Sequence, residues 1–162
     1  MAMPKSAARS IAMFTLILGL ALGVSACATP LPADVMTRIR PDILAALNEA
    51  RSKANLPSVG SDHRLEVVAR ARAAKAWLNR DNLKAAHSGF AATIEASGFP
   101  GRWTGEAYWA GPTSDSAAEI IAYLLNSPPH RAILMSSRAN VCAAASSSNK
   151  RDMSVAIDCG RL

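Results

Sequence analysis

Apolar residues recur at helical spacing in two stretches of the first half of the chain. Pro41 suits the first turn of a helix that runs to about Ala54, with Glu49 and Arg51 outside its apolar stripe. The stripe itself consists of Ile43, Leu44, Leu47 and Ala50. Asp62 is placed to cap a second helix, whose apolar positions are Leu65, Val68, Ala69, Ala73, Ala76 and Trp77. The pattern therefore predicts two amphipathic helices.

Glycine and proline residues delimit two further predicted helices. A short helix covers Ala91–Ala96 and stops at Gly98. A longer one begins at Ser114 or Asp115 and ends before the Ser-Pro-Pro sequence that starts at Ser127.

Three stretches have the composition of strands. Arg102–Ala110 is rich in aromatic residues, and in a strand its Glu106 shares one face with Thr104 and Tyr108. Ala139–Ala145 and Met153–Gly160 flank the Ser-rich, charged turn 146–152 and predict a hairpin. If Cys142 faces Cys159, then Ala144 faces Ile157 and Ala145 faces Ala156. Helices packed on a small antiparallel sheet make an α+β layered domain.

The first 26 residues have the pattern of a secretory signal peptide. Lys5 and Arg9 precede an uncharged, leucine-rich stretch, and the sequence V-S-A-C follows at Val24–Cys27. This ending resembles a bacterial lipobox, which implies that Cys27 is acylated and becomes the first mature residue. The alternative is an uncleaved membrane helix, but Pro30 and Pro32 interrupt the uncharged run.

The chain is thus predicted to have three parts: signal peptide 1–26, tether 27–40 and folded domain 41–162. Its 162 residues, half of them apolar, suit a single compact domain. We expect export to the cell envelope, with outer-membrane or periplasmic placement favoured by the absence of Asp after Cys27. The expected partners are the membrane, reached through the lipid, and a ligand of unknown class. We expect the protein to be a monomer.

Two cysteines remain after Cys27 is assigned to lipid. An exported domain is oxidised, so Cys142 and Cys159 are predicted to pair, which stabilises the fold by about 3 kcal/mol in the chain-entropy model. Two buried free thiols are the alternative.

Charge and motifs exclude several functions. The net charge is +6, but the basic residues are scattered, so no nucleic-acid partner is expected. The sequence holds no G-x-S-x-G elbow, P-loop or dinucleotide fingerprint.

The candidate chemistry lies in histidines and carboxylates. His63 has the context of a solvated surface residue, whereas His87 and His130 lie where we expect irregular backbone at the ends of elements. Glu106 is unusual in the middle of an aromatic strand. Glu119 fits a capping box with Ser116.

Four motifs taken together resemble those of the CAP superfamily, which includes cysteine-rich secretory proteins and pathogenesis-related proteins, in its short bacterial form. They are L-N-E-A-R at 47–51, H-S-G at 87–89, G-F-P-G-R-W-T-G-E at 98–106 and S-P-P-H-R at 127–131. The resemblance implies a three-layer α-β-α sandwich with a cleft lined by two His and two Glu. It assigns His87, Glu106 and His130 to that cleft, with Glu119 as the fourth member.

Some members of the superfamily bind zinc or another divalent cation in the cleft, so the resemblance makes His87 and His130 candidate metal ligands. Two imidazoles are suitable for zinc, but catalytic zinc sites usually have three protein ligands, which predicts weak or absent metal retention. Ala107 and Leu124 depart from the usual Asn and Trp, so the ligand of the cleft can differ.

Three functions remain open from the sequence. The first is an envelope lipoprotein whose cleft binds a lipid, glycan or protein. The second is a metal-dependent hydrolase of peptide or cell-wall material. In the third, His87, Glu106 and His130 form a purely structural hydrogen-bonded network.

Overall fold

A computed structural model describes residues 29–162, which form four strands and six helices. The strands are β1 (Met36–Ile39), β2 (Trp103–Pro112), β3 (Val141–Ser148) and β4 (Asp152–Arg161). The helices are α1 (Pro41–Lys53), α2 (His63–Leu78), α3 (Leu83–His87), α4 (Phe90–Ala96), α5 (Ala117–Asn126) and α6 (Pro128–Leu134). The signal peptide and Cys27 lie outside the described residues.

The four strands form one antiparallel sheet in the order β1-β3-β4-β2, with helices on both faces. On one face α1, α5 and α6 enclose a core around residues such as Leu47, Leu124 and Ile157. On the other face α2 packs its Leu65 and Ala69 against Ala143 and neighbouring small residues. Side chains alternate between the two faces along each strand, so both cores draw on the same sheet. The predicted α+β sandwich is confirmed.

The predicted hairpin has the predicted register. Cys142 pairs with Cys159, Ala144 with Ile157 and Ala145 with Ala156. A disulfide joins Cys142 to Cys159 on the face that α1, α5 and α6 cover. The bond links the two central strands of the sheet.

Several helix ends follow from local chemistry, as predicted. Pro41 begins α1, and the Asp62 carboxylate accepts hydrogen bonds from the first backbone N–H groups of α2. Gly98 has a φ of 68° and follows the end of α4, where a side chain would be strained. Ser116 and Glu119 form a capping box at the start of α5.

Three local predictions are wrong. Part of the predicted tether is β1, which pairs with the edge of β3. His130 is not on irregular backbone: it lies in α6, which begins directly after α5 because two prolines are tolerated in the first turn of a helix. His87 is the last residue of α3, an element that the sequence did not indicate.

Arg51 is also placed differently from the prediction, which left it outside the apolar stripe of α1. It is fully buried, and its guanidinium donates to the backbone carbonyls of Pro57, Leu134, Ser136 and Ala139. These carbonyls satisfy the buried charge without a carboxylate.

Among residues 29–162, no helix has both the length and the apolar character that crossing a membrane requires.

Candidate functional site

Glu106 is the centre of a buried polar cluster between the sheet and α2. Its strand position turns the carboxylate toward the α2 face, where the Arg72 side chain donates to both carboxylate oxygens, from Nε to Oε1 and from Nη2 to Oε2. The Tyr108 hydroxyl donates to Oε1 at 2.7 Å, and His87 Nδ1 lies 2.9 Å from Oε2. Both oxygens of Glu106 are therefore occupied by protein donors.

Arg72 connects this cluster to the end of α3. It is only 1% exposed, and besides Glu106 it donates to the backbone carbonyls of Ala86 and Ser88. Burial is the largest single effect and acts to lower the pKa of Arg72, but the hydrogen bond to Glu106 and the nearby negative charges together outweigh it, so that the pKa is raised. The guanidinium thus holds the backbone on both sides of His87.

Asp158 lies next to Glu106 on the neighbouring strand, because the two residues are partners in the β2–β4 register. Its side chain is fully buried, and neither carboxyl oxygen has a hydrogen-bond partner. Burial, together with the negative charge of Glu106, raises the pKa of Asp158 well above its usual range. Both effects favour the neutral, protonated form of the Asp158 carboxyl.

The hydrogen bond to Glu106 fixes the His87 ring. Arg72 donates to both carboxylate oxygens of Glu106, so Nδ1 of His87 is placed to donate to Oε2. The ring also packs against Tyr108, with 4.6 Å between the ring centroids. In the neutral imidazole this leaves a lone pair on Nε2, and the side chain is 42% exposed. His87 therefore presents an acceptor to solvent.

His130 lies beside an open cavity of about 350 Å³ that it lines together with Tyr123, Asn126 and Ser127. Its Nδ1 is buried without a hydrogen-bond partner. Burial, and secondly the proximity of His87, lower the pKa of His130. Both effects favour the neutral form of His130. We call His130 and the three other residues that line this cavity, Tyr123, Asn126 and Ser127, the histidine groove.

Glu119 belongs to the cap at the start of α5. Its carboxylate accepts from the backbone N–H and the hydroxyl of Ser116, and none of the hydrogen bonds among residues 29–162 joins it to His87, Glu106 or His130. The hydrogen bonds from Ser116 hold the pKa of this exposed carboxyl below its usual value. The resemblance placed Glu119 in the cleft, whereas its observed contacts are those of a helix cap.

The described residues do not fit a resident catalytic zinc ion. Residues 29–162 contain no group of three His, Cys, Asp or Glu side chains arranged to hold a metal. Glu106 is bonded to Arg72, Tyr108 and His87, and this leaves two imidazoles where such sites usually have three protein ligands. Zinc binding through His87 and His130 stays a prediction.

Sequence reasoning missed Arg72 and Asp158 as members of the cluster. A signal for Arg72 was available, because it follows Leu65 and Ala69 at helical spacing and so falls on the apolar stripe of α2. Asp158 likewise takes an inward position in an alternating strand. A charged residue at a core position is itself a sign of a buried partner.

The arrangement of helices and sheet agrees with a match to the model of the cysteine-rich secretory protein family, CAP, over residues 44–157. This match covers most of the chain. The chain belongs to the CAP family. No curated protein matches the chain in sequence.

Solved structures share the CAP fold. An outer surface protein of Borrelia burgdorferi aligns with a TM-score of 0.60 at 21% identity, covering 78% of this chain and 100% of that one. An extracellular SCP-domain protein of Bacillus anthracis aligns with a TM-score of 0.57 at 19% identity, over 75% and 40% of the two chains. A cysteine-rich secretory protein of Staphylococcus aureus gives 0.55 at 14%, over 74% and 37%. The chain therefore spans about two fifths of the last two proteins.

Proposed function

We propose that this CAP domain is a binding module of an exported envelope protein and that it takes its ligand in the histidine groove. One observation supports this most directly: His130 lines an open cavity of about 350 Å³, and its buried Nδ1 atom has no hydrogen-bond partner among residues 29–162. Fixed polar groups at the edge of an open cavity are typical of ligand sites.

The groups in the histidine groove indicate the chemistry of the ligand. Asn126 offers an amide and Ser127 a hydroxyl, while Tyr123 is 66% exposed and offers an aromatic face. His130 adds no positive charge at neutral pH, because burial lowers its pKa. These features suit a neutral polar ligand with one apolar face, such as a sugar ring of an envelope glycan.

Hydrolysis has less support from the described residues. The disulfide removes Cys142 and Cys159 as nucleophiles, and Glu106 is bonded to three protein donors, so it is not placed to act as a base on a metal-bound water. The histidine groove thus supplies binding groups without a nucleophile or a complete set of metal ligands.

Export and anchoring complete the proposal. The signal-peptide pattern of residues 1–26 and the lipobox resemblance at Cys27 favour a lipid-anchored protein, placed at the outer membrane. The structural neighbours named as extracellular, outer-surface and secretory proteins are consistent with export.

A thermal-shift and NMR titration against muropeptides, oligosaccharides and short-chain phospholipids tests the binding proposal. We expect a ligand that stabilises the wild type and loses its effect in His130→Ala and Tyr123→Ala. His63→Ala is the matched histidine control, because His63 is exposed at the start of α2. Circular dichroism checks that each variant is folded.

Glu119→Ala separates the two interpretations of that residue. As a cap residue it should leave ligand binding unchanged and lower the stability of α5 by about 1 kcal/mol. Loss of ligand binding in this variant would instead return Glu119 to the cleft. The proposal is wrong if no compound binds, or if His130→Ala binds as well as His63→Ala does.

A further inference from the structure

Three arginines that are distant in sequence surround the start of β2. Arg161 is the cross-strand partner of Trp103, and the Arg138 guanidinium lies 5.8 Å from the centre of the Trp103 ring. Arg102 precedes Trp103 and lines a cavity of about 320 Å³ together with Arg161, Pro100 and Leu162. We call Arg102, Arg138 and Arg161 the arginine cluster.

The guanidinium groups of the arginine cluster have no carboxylate partner within residues 29–162, in contrast to those of three other arginines. Arg40, Arg64 and Arg72 each form an ion pair with an Asp or Glu. No ion pair or side-chain hydrogen bond is formed by the three cluster residues within the described part of the chain, and all three are exposed. Their positive charges are therefore not neutralised by the protein's own acids.

We propose that the arginine cluster binds a phosphate group. Guanidinium groups present paired N–H donors in a fixed plane, which matches phosphate oxygens and gives two hydrogen bonds to one arginine. Arg102 and Arg161 flank one cavity, so a single group that carries two negative charges can meet both, with Arg138 beside it on Trp103. A carboxylate has one charge and only two oxygens, so it neutralises only one of the two guanidinium groups and cannot give each of them two hydrogen bonds to separate oxygens.

The site is independent of the proposed histidine groove. The two share no residue, since the groove is formed by His130, Ser127 and two residues of α5. The phosphate can belong to a soluble anion or to a lipid headgroup, and the chemistry of recognition is the same for both.

The test is a titration of the full chain with inorganic phosphate, monitored by NMR. The ionic strength is held constant and the starting buffer contains no phosphate. We expect saturable binding that is roughly ten-fold or more weaker in Arg102→Gln/Arg161→Gln. Arg70→Gln/Arg151→Gln removes the same charge from exposed arginines outside the cluster and should bind like the wild type. Thermal unfolding checks the fold of both variants.

A second titration, with soluble dihexanoyl phosphatidic acid, whose phosphate monoester carries up to two negative charges, identifies the source of the phosphate. Tighter binding than inorganic phosphate, with the same dependence on the two arginines, assigns the site to a lipid headgroup, and equal or weaker binding assigns it to a soluble phosphate. The proposal is overturned if neither compound binds, or if the cluster variant and the control variant bind equally well.

Discussion

Asp158 is a carboxyl group that the fold buries without a hydrogen bond. The side chain lies between Glu106 and Ala143, its register partners on the two neighbouring strands, and both of its oxygens lack a partner. An unsatisfied buried polar group costs about 1–3 kcal/mol, and an ionised one costs more. The raised pKa of Asp158 favours the neutral carboxyl, which avoids the larger cost. Arg72 donates to Glu106 and to two backbone carbonyls, and not to Asp158.

We predict that Asp158→Asn changes how stability depends on pH. The folded pKa is raised above the unfolded value, so between the two values the folded state holds a proton that the unfolded state lacks. As the pH rises through this window, the free energy of unfolding should therefore fall by about 1.4 kcal/mol for each pH unit. The contribution of Asp158 to this slope should be absent in the variant. Urea unfolding from pH 5 to 9 measures it. Equal slopes for both proteins would show that Asp158 is ionised.

The residues of the polar cluster were predictable to different degrees. Glu106 and His87 could be identified because a carboxylate in an aromatic strand and a histidine in a family motif are both visible in the sequence. The raised pKa of Asp158 could not be predicted from the sequence. It depends on burial and on the charge of Glu106, a residue 52 positions away in the chain that strand pairing brings close. A role of Glu106 and His87 in ligand binding stays a prediction.

Among the elements, α1, α2, α5 and the hairpin were predictable because periodicity and end signals agreed. The missed elements lacked local signals. β1 has only four residues and exists by pairing with β3, and α6 opens with two prolines that are equally typical of a loop. The sequence does not show which partner such a short segment finds.

Arg51 joins α1 to two other parts of the chain. Its guanidinium donates to the loop at Pro57, to Leu134 at the end of α6, and to Ser136 and Ala139 in the segment that follows α6. Burial lowers the pKa of Arg51, yet an arginine keeps its charge at neutral pH. The charge is thus held by carbonyl dipoles from two segments.

We predict that Arg51→Ala is among the most destabilising substitutions in the domain. It removes up to four charge-assisted hydrogen bonds and leaves buried carbonyls without a donor, at a cost of about 3–5 kcal/mol. Chemical denaturation measures the loss, with Arg70→Ala as the control because Arg70 lies on the exposed side of α2. If the two variants were equally stable, the carbonyls would have found other donors.

At the scale of the whole molecule, the arginine cluster and the start of β1 lie at opposite ends of the sheet. The arginine cluster surrounds the end of the sheet where Trp103 pairs with Arg161, whereas β1 enters the sheet at the other end, where Met36 pairs with Ser148. Ten residues of β4 separate these ends, a distance of roughly 30 Å. An anchor before β1 would therefore hold the arginine cluster away from the membrane that carries it.

We predict that Cys27→Ser releases the protein from the membrane without changing the folded domain. The wild type should incorporate radiolabelled palmitate and sediment with membranes, and the variant should do neither, because the lipid would be the only covalent anchor that the sequence indicates. Nine positions separate Cys27 from Met36, which limits the domain to roughly 30 Å from the anchor. Thermal unfolding of the two proteins in detergent should coincide. A variant that still sediments with membranes would mean that residues 1–26 remain attached as a membrane segment, the alternative that Pro30 and Pro32 disfavour.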